Sequence, residues 1–173
     1  MRHVSGARRQ HRAWPRRAAP CGFSLIEAMV VVAILGLLIV TGMPAMVDYM
    51  ANSRLREGGH LLLGEALMAQ SEAVKRNVST RLDTSGDEVQ VYDLTEPANP
   101  VLLRSRKVTT PVAMPVASVT FGSDGRPSPF GTTASINLSL TGSTCSADIR
   151  CPGLRVDAGG AVRLCPNQLV SCV

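Results

Sequence analysis

Histidine is scarce in this 173-residue chain, and two of its three copies, His3 and His11, lie within the first 22 residues. That leaves His60 downstream, read as a polar surface residue on a helix. One imidazole cannot build a histidine metal triad, and the cysteine gaps match no zinc spacing. No G-x-S-x-G, P-loop or nucleophile–base pair is present either. The expectation is therefore a protein that is not an enzyme and holds neither metal nor cofactor. Long internal repeats and low-complexity tracts are also missing. Acid is absent from residues 1–22, which carry six arginines (Arg2, Arg8, Arg9, Arg12, Arg16 and Arg17). The formal charge of +5 resides there, since the remainder has 12 basic and 13 acidic residues, a formal −1. If that leader is removed, no broad electrostatic attraction for nucleic acid remains.

What the sequence does have is one long apolar run, PCGFSLIEAMVVVAILGLLIV (residues 20–40), continuing to Val47. From Ala28 it offers about 20 residues, enough to cross a bilayer core of roughly 30 Å as a helix. The arginine-rich flank is expected to stay cytoplasmic, which places the following chain outside the cytoplasm. Cysteine usage agrees. Cys21 is in the leader, while Cys145, Cys151, Cys165 and Cys172 cluster near the C-terminus, as expected for disulfides in an oxidising compartment. Four cysteines allow three connectivities, and pairing of Cys145 with Cys151 and Cys165 with Cys172 is favoured. Glu27 is the anomaly in the run, because a carboxylate deep in a bilayer costs on the order of 2.5–3.5 kcal/mol on insertion scales.

Four processing routes can be weighed. An ordinary signal peptide would use residues 28–40 as its apolar core and be cut after Ala45 in TGMPA, but Pro44 beside the bond and Glu27 argue against it. A lipoprotein signal fails because its apolar stretch should precede the cysteine of AAPC. The twin-arginine pairs lack their apolar context. The fourth route is a cut between Gly22 and Phe23, ahead of the run, which retains the helix. Here G-F-S-L-I-E followed by about 20 apolar residues resembles the class III signal of type IV pilins and type II secretion pseudopilins. A glycine before the cut lets the peptide lie flat in a protease cleft.

The resemblance implies cleavage after Gly22 by a membrane aspartyl prepilin peptidase and methylation of the new amine on Phe23. Glu27 then becomes the fifth mature residue. It is expected to pair, during assembly, with the terminal ammonium of Phe23 in a neighbouring subunit. Pro44 resembles the proline around which pilin helices bend or unwind, and a kink or local melting is expected there. The implied partners are other major and minor pilins or pseudopilins, the peptidase and the inner membrane. The implied location is a single-pass bacterial inner-membrane protein with a periplasmic C-terminal domain, transferred to a pilus or pseudopilus.

Beyond the apolar run, Leu55, Leu62, Leu63, Ala66, Leu67, Ala69, Ala73 and Val74 recur at helical spacing. Arg54, Glu57, Glu65, Glu72, Lys75 and Arg76 fall mostly on the other side. Gly58-Gly59 is expected to weaken the helix, each glycine costing roughly 1 kcal/mol against alanine. A single helix over 23–77 would be about 80 Å long. Strands are expected at 88–94, 101–108, 116–121, 134–141, 154–157 and 161–165, separated by turn residues, with a hairpin at Gly159-Gly160. The fold class is α+β, a long N-terminal helix packed on an antiparallel sheet. The expected organisation is a cleaved leader (1–22), a transmembrane and assembly helix (23–47), its amphipathic continuation (48–78) and a β domain (79–173).

AQSEAVKRN (69–77), FGSDGRPSPFG (121–131) and AGGAVRLC (158–165) resemble the GspH/FimT branch of minor pilins and pseudopilins. That resemblance implies a minor pilin that helps prime or cap a type IV pilus. The alternatives are an H-like pseudopilin of a type II secretion system and, from another class, a signal-anchored or secreted periplasmic enzyme. Some FimT-like proteins are implicated in DNA uptake through a Gly-Arg-x-Arg motif. This chain has Gly160-Ala161-Val162-Arg163 there, so one arginine is missing. Arg163, with Arg155 and Arg150, is the candidate set for weak DNA binding, and one fewer phosphate contact flattens salt dependence.

Overall fold

A computed structural model describes residues 22–170, apart from the Pro44 side chain. It divides into two compact units that meet between Thr41 and Gly42. The element α1 (Leu25–Arg76) is one 52-residue helix. Ser24 starts it: the Glu27 N–H donates to Ser24 Oγ (3.2 Å) and to its carbonyl (3.1 Å). The S-x-x-E pattern of a capping box thus begins the helix. At the other end Asn77 has φ 56°, and the Val78 N–H donates to Ala73 O (3.2 Å). This left-handed terminus satisfies carbonyls that would otherwise be unpaired, with Lys75 and Arg76 in the last turn favouring the helix dipole.

Within α1, Leu25–Met43 is long and apolar enough to cross a membrane, and none of it is buried. The helix assignment is unbroken through position 44, so the local melting expected there is absent from the single chain. One proline removes one donor, and the surrounding turns keep their own bonds.

In the second unit, α1 lies on two antiparallel sheets. The first has the order β3-β2-β1-β4-β6: β1 (Thr80–Gly86), β2 (Glu88–Asp93), β3 (Val101–Lys107), β4 (Val112–Phe121) and β6 (Ser139–Leu140). The second has the order β5-β7-β8: β5 (Ala134–Asn137), β7 (Gly153–Val156) and β8 (Val162–Cys165). Sequence reading missed β1, which is central. Its inward positions are Thr80, Leu82 and Thr84, all buried, so two of three are polar. The threonines are accommodated because Thr80 Oγ1 donates to Ala69 O (2.8 Å) and Thr84 Oγ1 to Pro115 O (2.8 Å). β4 begins at Val112, earlier than the expected residue 116. Pro115 falls where the β1–β4 register shifts between Thr84 and Gly86, so no ladder donor is required of it. The expected strand 134–141 is two strands. β5 pairs with β7, β6 pairs with β4, and Leu138 between them crosses from one sheet to the other.

The buried face of α1 also differs from the expected stripe. Leu55, Leu62, Ala66, Ala69 and Ala73 are buried, whereas Leu67 (42% exposed) and Val74 (54%) face outward. Gly58 and Gly59 complete the buried face. A methyl at Gly58 would lie 3.1 Å from Val112 Cγ1 and 3.2 Å from Leu138 Cδ2, beside the first sheet. At Gly59 it would lie 3.0 Å from the Pro152 ring and 3.3 Å from Leu164 Cδ1, beside the second. The pair that reads as a helix weakness is where the helix approaches both sheets. Glu65, expected on the polar side, is buried. It meets Arg104 Nε (3.2 Å) and Arg106 Nε (3.9 Å), which reach in from edge strand β3.

A methyl at Gly64, by contrast, would meet nothing within 4 Å. Gly64→Ala should therefore stabilise the chain by about 1 kcal/mol through helix propensity alone. Gly59→Leu should destabilise it by about 1–3 kcal/mol through overpacking. Thermal unfolding of the detergent-solubilised chain checks both signs.

Candidate functional site

The N-terminal residues sit together by sequence and helix geometry. Gly22 and Phe23 precede α1, Phe23 is 79% exposed, and Glu27 is on the first turn with its side chain exposed. The cap from Ser24 engages the backbone N–H of Glu27, and the Glu27 carboxylate has no hydrogen bond or ion pair among the described residues. From Phe23 to Met50 every described residue is exposed, including Leu25, Ile26, Val32, Leu37 and Val40. A surface this apolar needs lipid or other helices around it.

Three sequence segments separated along the chain converge on Gln70. Its Nε2 donates to Gly125 O (2.7 Å) and to Gly160 O (2.7 Å), so one helix side chain ties a turn after β4 to the β7–β8 hairpin. Gly125 has φ +76° and Gly160 φ +90°, conformations that favour glycine. A methyl on Gly160 would lie 2.9 Å from Gly125 O, so the two turns touch. Gln70, Gly125 and Gly160 belong respectively to the AQSEAVKRN, FGSDGRPSPFG and AGGAVRLC segments. Their shared cause is this junction. Sequence reading saw the segments but did not single out Gln70, because a glutamine on a helix has no spacing signature.

Cys145 and Cys151 are joined, with Cα atoms 5.7 Å apart. Cys165 is also a disulfide cysteine, and the expected pairing with Cys172 lies outside the described residues. The loop closed by Cys145–Cys151 is seated on α1 by Asn52. Its Nδ2 donates to Asp148 O (2.7 Å), and its Oδ1 accepts from the Arg150 N–H (2.8 Å).

Of the three candidate arginines, two are brought together by strand register. Arg155 on β7 and Arg163 on β8 are directly opposite in register. Each is already engaged: Arg155 Nη1 donates to Asn137 Oδ1 (2.7 Å), and Arg163 pairs with Asp157. Arg150 is elsewhere, in the loop against Asn52. His60 is exposed, and no group of three metal-ligating side chains exists among the described residues.

At the end of α1, Arg76 meets both Glu72 (2.5 Å) and Asp93 (3.4 Å). Asp93 is buried and accepts from Thr95 Oγ1 (2.5 Å) and Thr95 N–H (2.8 Å). These bonds, with Arg76 nearby, hold its carboxyl below the usual aspartate range.

The fold is that of minor pilins and pseudopilins. It matches the type IV minor pilin FimU of Pseudomonas aeruginosa with a TM-score of 0.56 and 18% identity, covering 68% of this chain and 92% of FimU. The minor pseudopilin EpsH from the type 2 secretion system of Vibrio cholerae gives 0.53 and 11%, covering 65% and 97%. At those identities the likeness speaks for the fold alone. In sequence, the prokaryotic N-terminal methylation motif matches residues 17–43, and type II transport protein GspH matches residues 60–160. The second match covers more than half of the chain, which belongs to the GspH family. The type IV major fimbrial protein FimA of Dichelobacter nodosus is 38% identical over 68 residues, 39% of this chain and 42% of FimA. Fimbrial protein EcpC of Eikenella corrodens is 46% identical over 44 residues, 25% and 29% respectively. The chain thus spans less than half the length of either of these relatives.

Two measurements test the junctions. Gln70→Ala should cost about 1–3 kcal/mol by leaving carbonyls unsatisfied. Hydrogen exchange should then rise selectively in residues 122–126 and 157–161; unchanged exchange there would remove Gln70 as the tie. For Asp93, the folded-state pKa is depressed, so its stabilisation is present above the unfolded pKa. It is lost as pH falls from about 4 through the folded value. Asp93→Asn should lower the unfolding midpoint at pH 7 and flatten its decline below about pH 4.

Proposed function

We propose that this chain is a minor pilin that helps prime or cap a type IV pilus, anchored in the bacterial inner membrane before assembly with its C-terminal domain in the periplasm. The observation that carries this is one continuous helix with two different surfaces. Its first half, behind a methylation motif, is apolar all round and unburied, while its second half seals a GspH-type domain. The first supplies an anchor and a filament contact, and the second presents a fixed surface. In this reading prepilin peptidase cuts between Gly22 and Phe23, Phe23 is methylated, and Pro44 supplies a point where the helix yields on assembly.

Glu27 is the proposed docking group. In a water-poor filament core its carboxylate meets the terminal ammonium of Phe23 from a neighbouring subunit, and little competes with that pair. The fimbrial relatives favour a pilus, whereas the GspH match and the EpsH fold fit an H-like pseudopilin, which would use the same assembly chemistry. DNA binding is less well served by the surface. Ala161 stands where a second arginine is expected, and Arg163 is already neutralised by Asp157.

The capping geometry separates two roles for Glu27. From residue 27 Ser24 accepts only the backbone N–H, so the cap survives Glu27→Gln, which removes the charge and keeps the size. The proposal expects Glu27→Gln, like Glu27→Val, to be inserted and cleaved normally but lost from sheared filaments. Wild-type incorporation of the glutamine variant would sink the charge-pairing role.

A further inference from the structure

A groove of about 780 Å³ lies between α1 and the disulfide-closed loop. One wall is a helix stripe running from Ala45 through Asn52, Arg56 and His60 to Leu63. At 1.5 Å per residue that wall is about 27 Å long. The facing wall includes Asp148, Arg150, Pro152 and Leu164. Leu63, Pro152 and Leu164 give it an apolar lining.

It carries charges of both signs. Asp48 lies toward the Ala45 end, and Arg56 follows eight residues later, about 12 Å along the helix. The Arg150 N–H is held by Asn52, one turn before Arg56, and both arginines line the groove. Asp148 is held in the same loop through its carbonyl. Both arginines are exposed, and neither forms an ion pair among the described residues. The Cys145–Cys151 bond and the two Asn52 contacts fix the Arg150 backbone before anything binds.

We propose that this groove docks a polypeptide segment of a neighbouring pilin subunit, with one of its carboxylates seated between Arg56 and Arg150. The inference rests on the pilin reading and adds a specific contact to it. Two guanidiniums on opposite walls are suited to a carboxylate, each able to offer paired N–H donors. The length of the groove suits a chain segment, and its apolar lining would cover aliphatic side chains beside the acid. Asp48 and Asp148 disfavour a uniformly anionic polymer such as nucleic acid, which would set phosphates against them. A peptide with a single acid can set it against the arginines and keep its uncharged residues beside Asp48 and Asp148.

The test uses the full-length chain in cells that assemble the filament, with a benzophenone amino acid at Ala147, an exposed residue of the groove wall. Illumination should give an adduct with another pilin subunit, mapped by mass spectrometry to a peptide containing Asp or Glu. Arg56→Glu and Arg150→Glu should each reduce the adduct at least about tenfold, and Arg56→Lys should retain most of it. Because both side chains are exposed, the unfolding midpoint should stay unchanged, and it is measured for each variant. An adduct insensitive to charge reversal, an adduct with nucleic acid, or no adduct from a chain present in sheared filaments overturns the groove contact alone. Absence of the wild-type chain from filaments overturns the groove contact and the pilin reading together.

Discussion

One helix must satisfy two surroundings, and the rest of the structure follows from that constraint. Over Leu25–Met43 none of α1 is buried, so its apolar surface awaits an external apolar environment. From Leu55 onward the same helix has one face that is packed to exclusion. Leu55, Leu62, Ala66, Ala69 and Ala73 are fully buried, and two glycines let the backbone come within methyl-contact distance of both sheets. Changing the first half alters where the protein can reside. Changing the second alters whether the β domain holds together.

The β domain is organised around that packed face. Thr80 bonds to the helix carbonyl of Ala69, Glu65 receives two arginines from β3, and Gln70 holds two turns, one from each side of the domain. The two sheets share the segment 134–140, which changes partner at Leu138. A domain with few aromatics therefore achieves its order through helix-to-turn hydrogen bonds and close helix approach, together with aliphatic burial. The Cys145–Cys151 loop adds a second attachment, to Asn52.

Much of this was legible from residues alone. The α+β class, the helix end near residue 77 and the β7–β8 hairpin follow from periodicity and turn chemistry, because these are local signals. The family was legible from G-F-S-L-I-E and three short downstream segments. What escaped was non-local. β1 carries threonines at inward positions, and only tertiary acceptors make that acceptable. Gly58-Gly59 looks unfavourable until Val112 and Pro152 are placed against it. Glu65 looks like a surface acid until Arg104 and Arg106 reach it, and the pairing of Arg155 with Arg163 depends on strand register. The exposed Leu67 and Val74 show the limit of a periodicity argument on a helix whose buried face is set by two sheets.

The proposed mechanism places three tasks in one segment: a cut at Gly22–Phe23, an acid at Glu27 and an apolar anchor behind it. Cutting ahead of the helix creates the amine that the acid is proposed to meet, so the position of the mature N-terminus tests the account most directly. Intact-mass and N-terminal sequencing of the protein from its native membrane should find N-methylated Phe23. A mature chain beginning at Met46, or one retaining the arginine-rich leader, would contradict it.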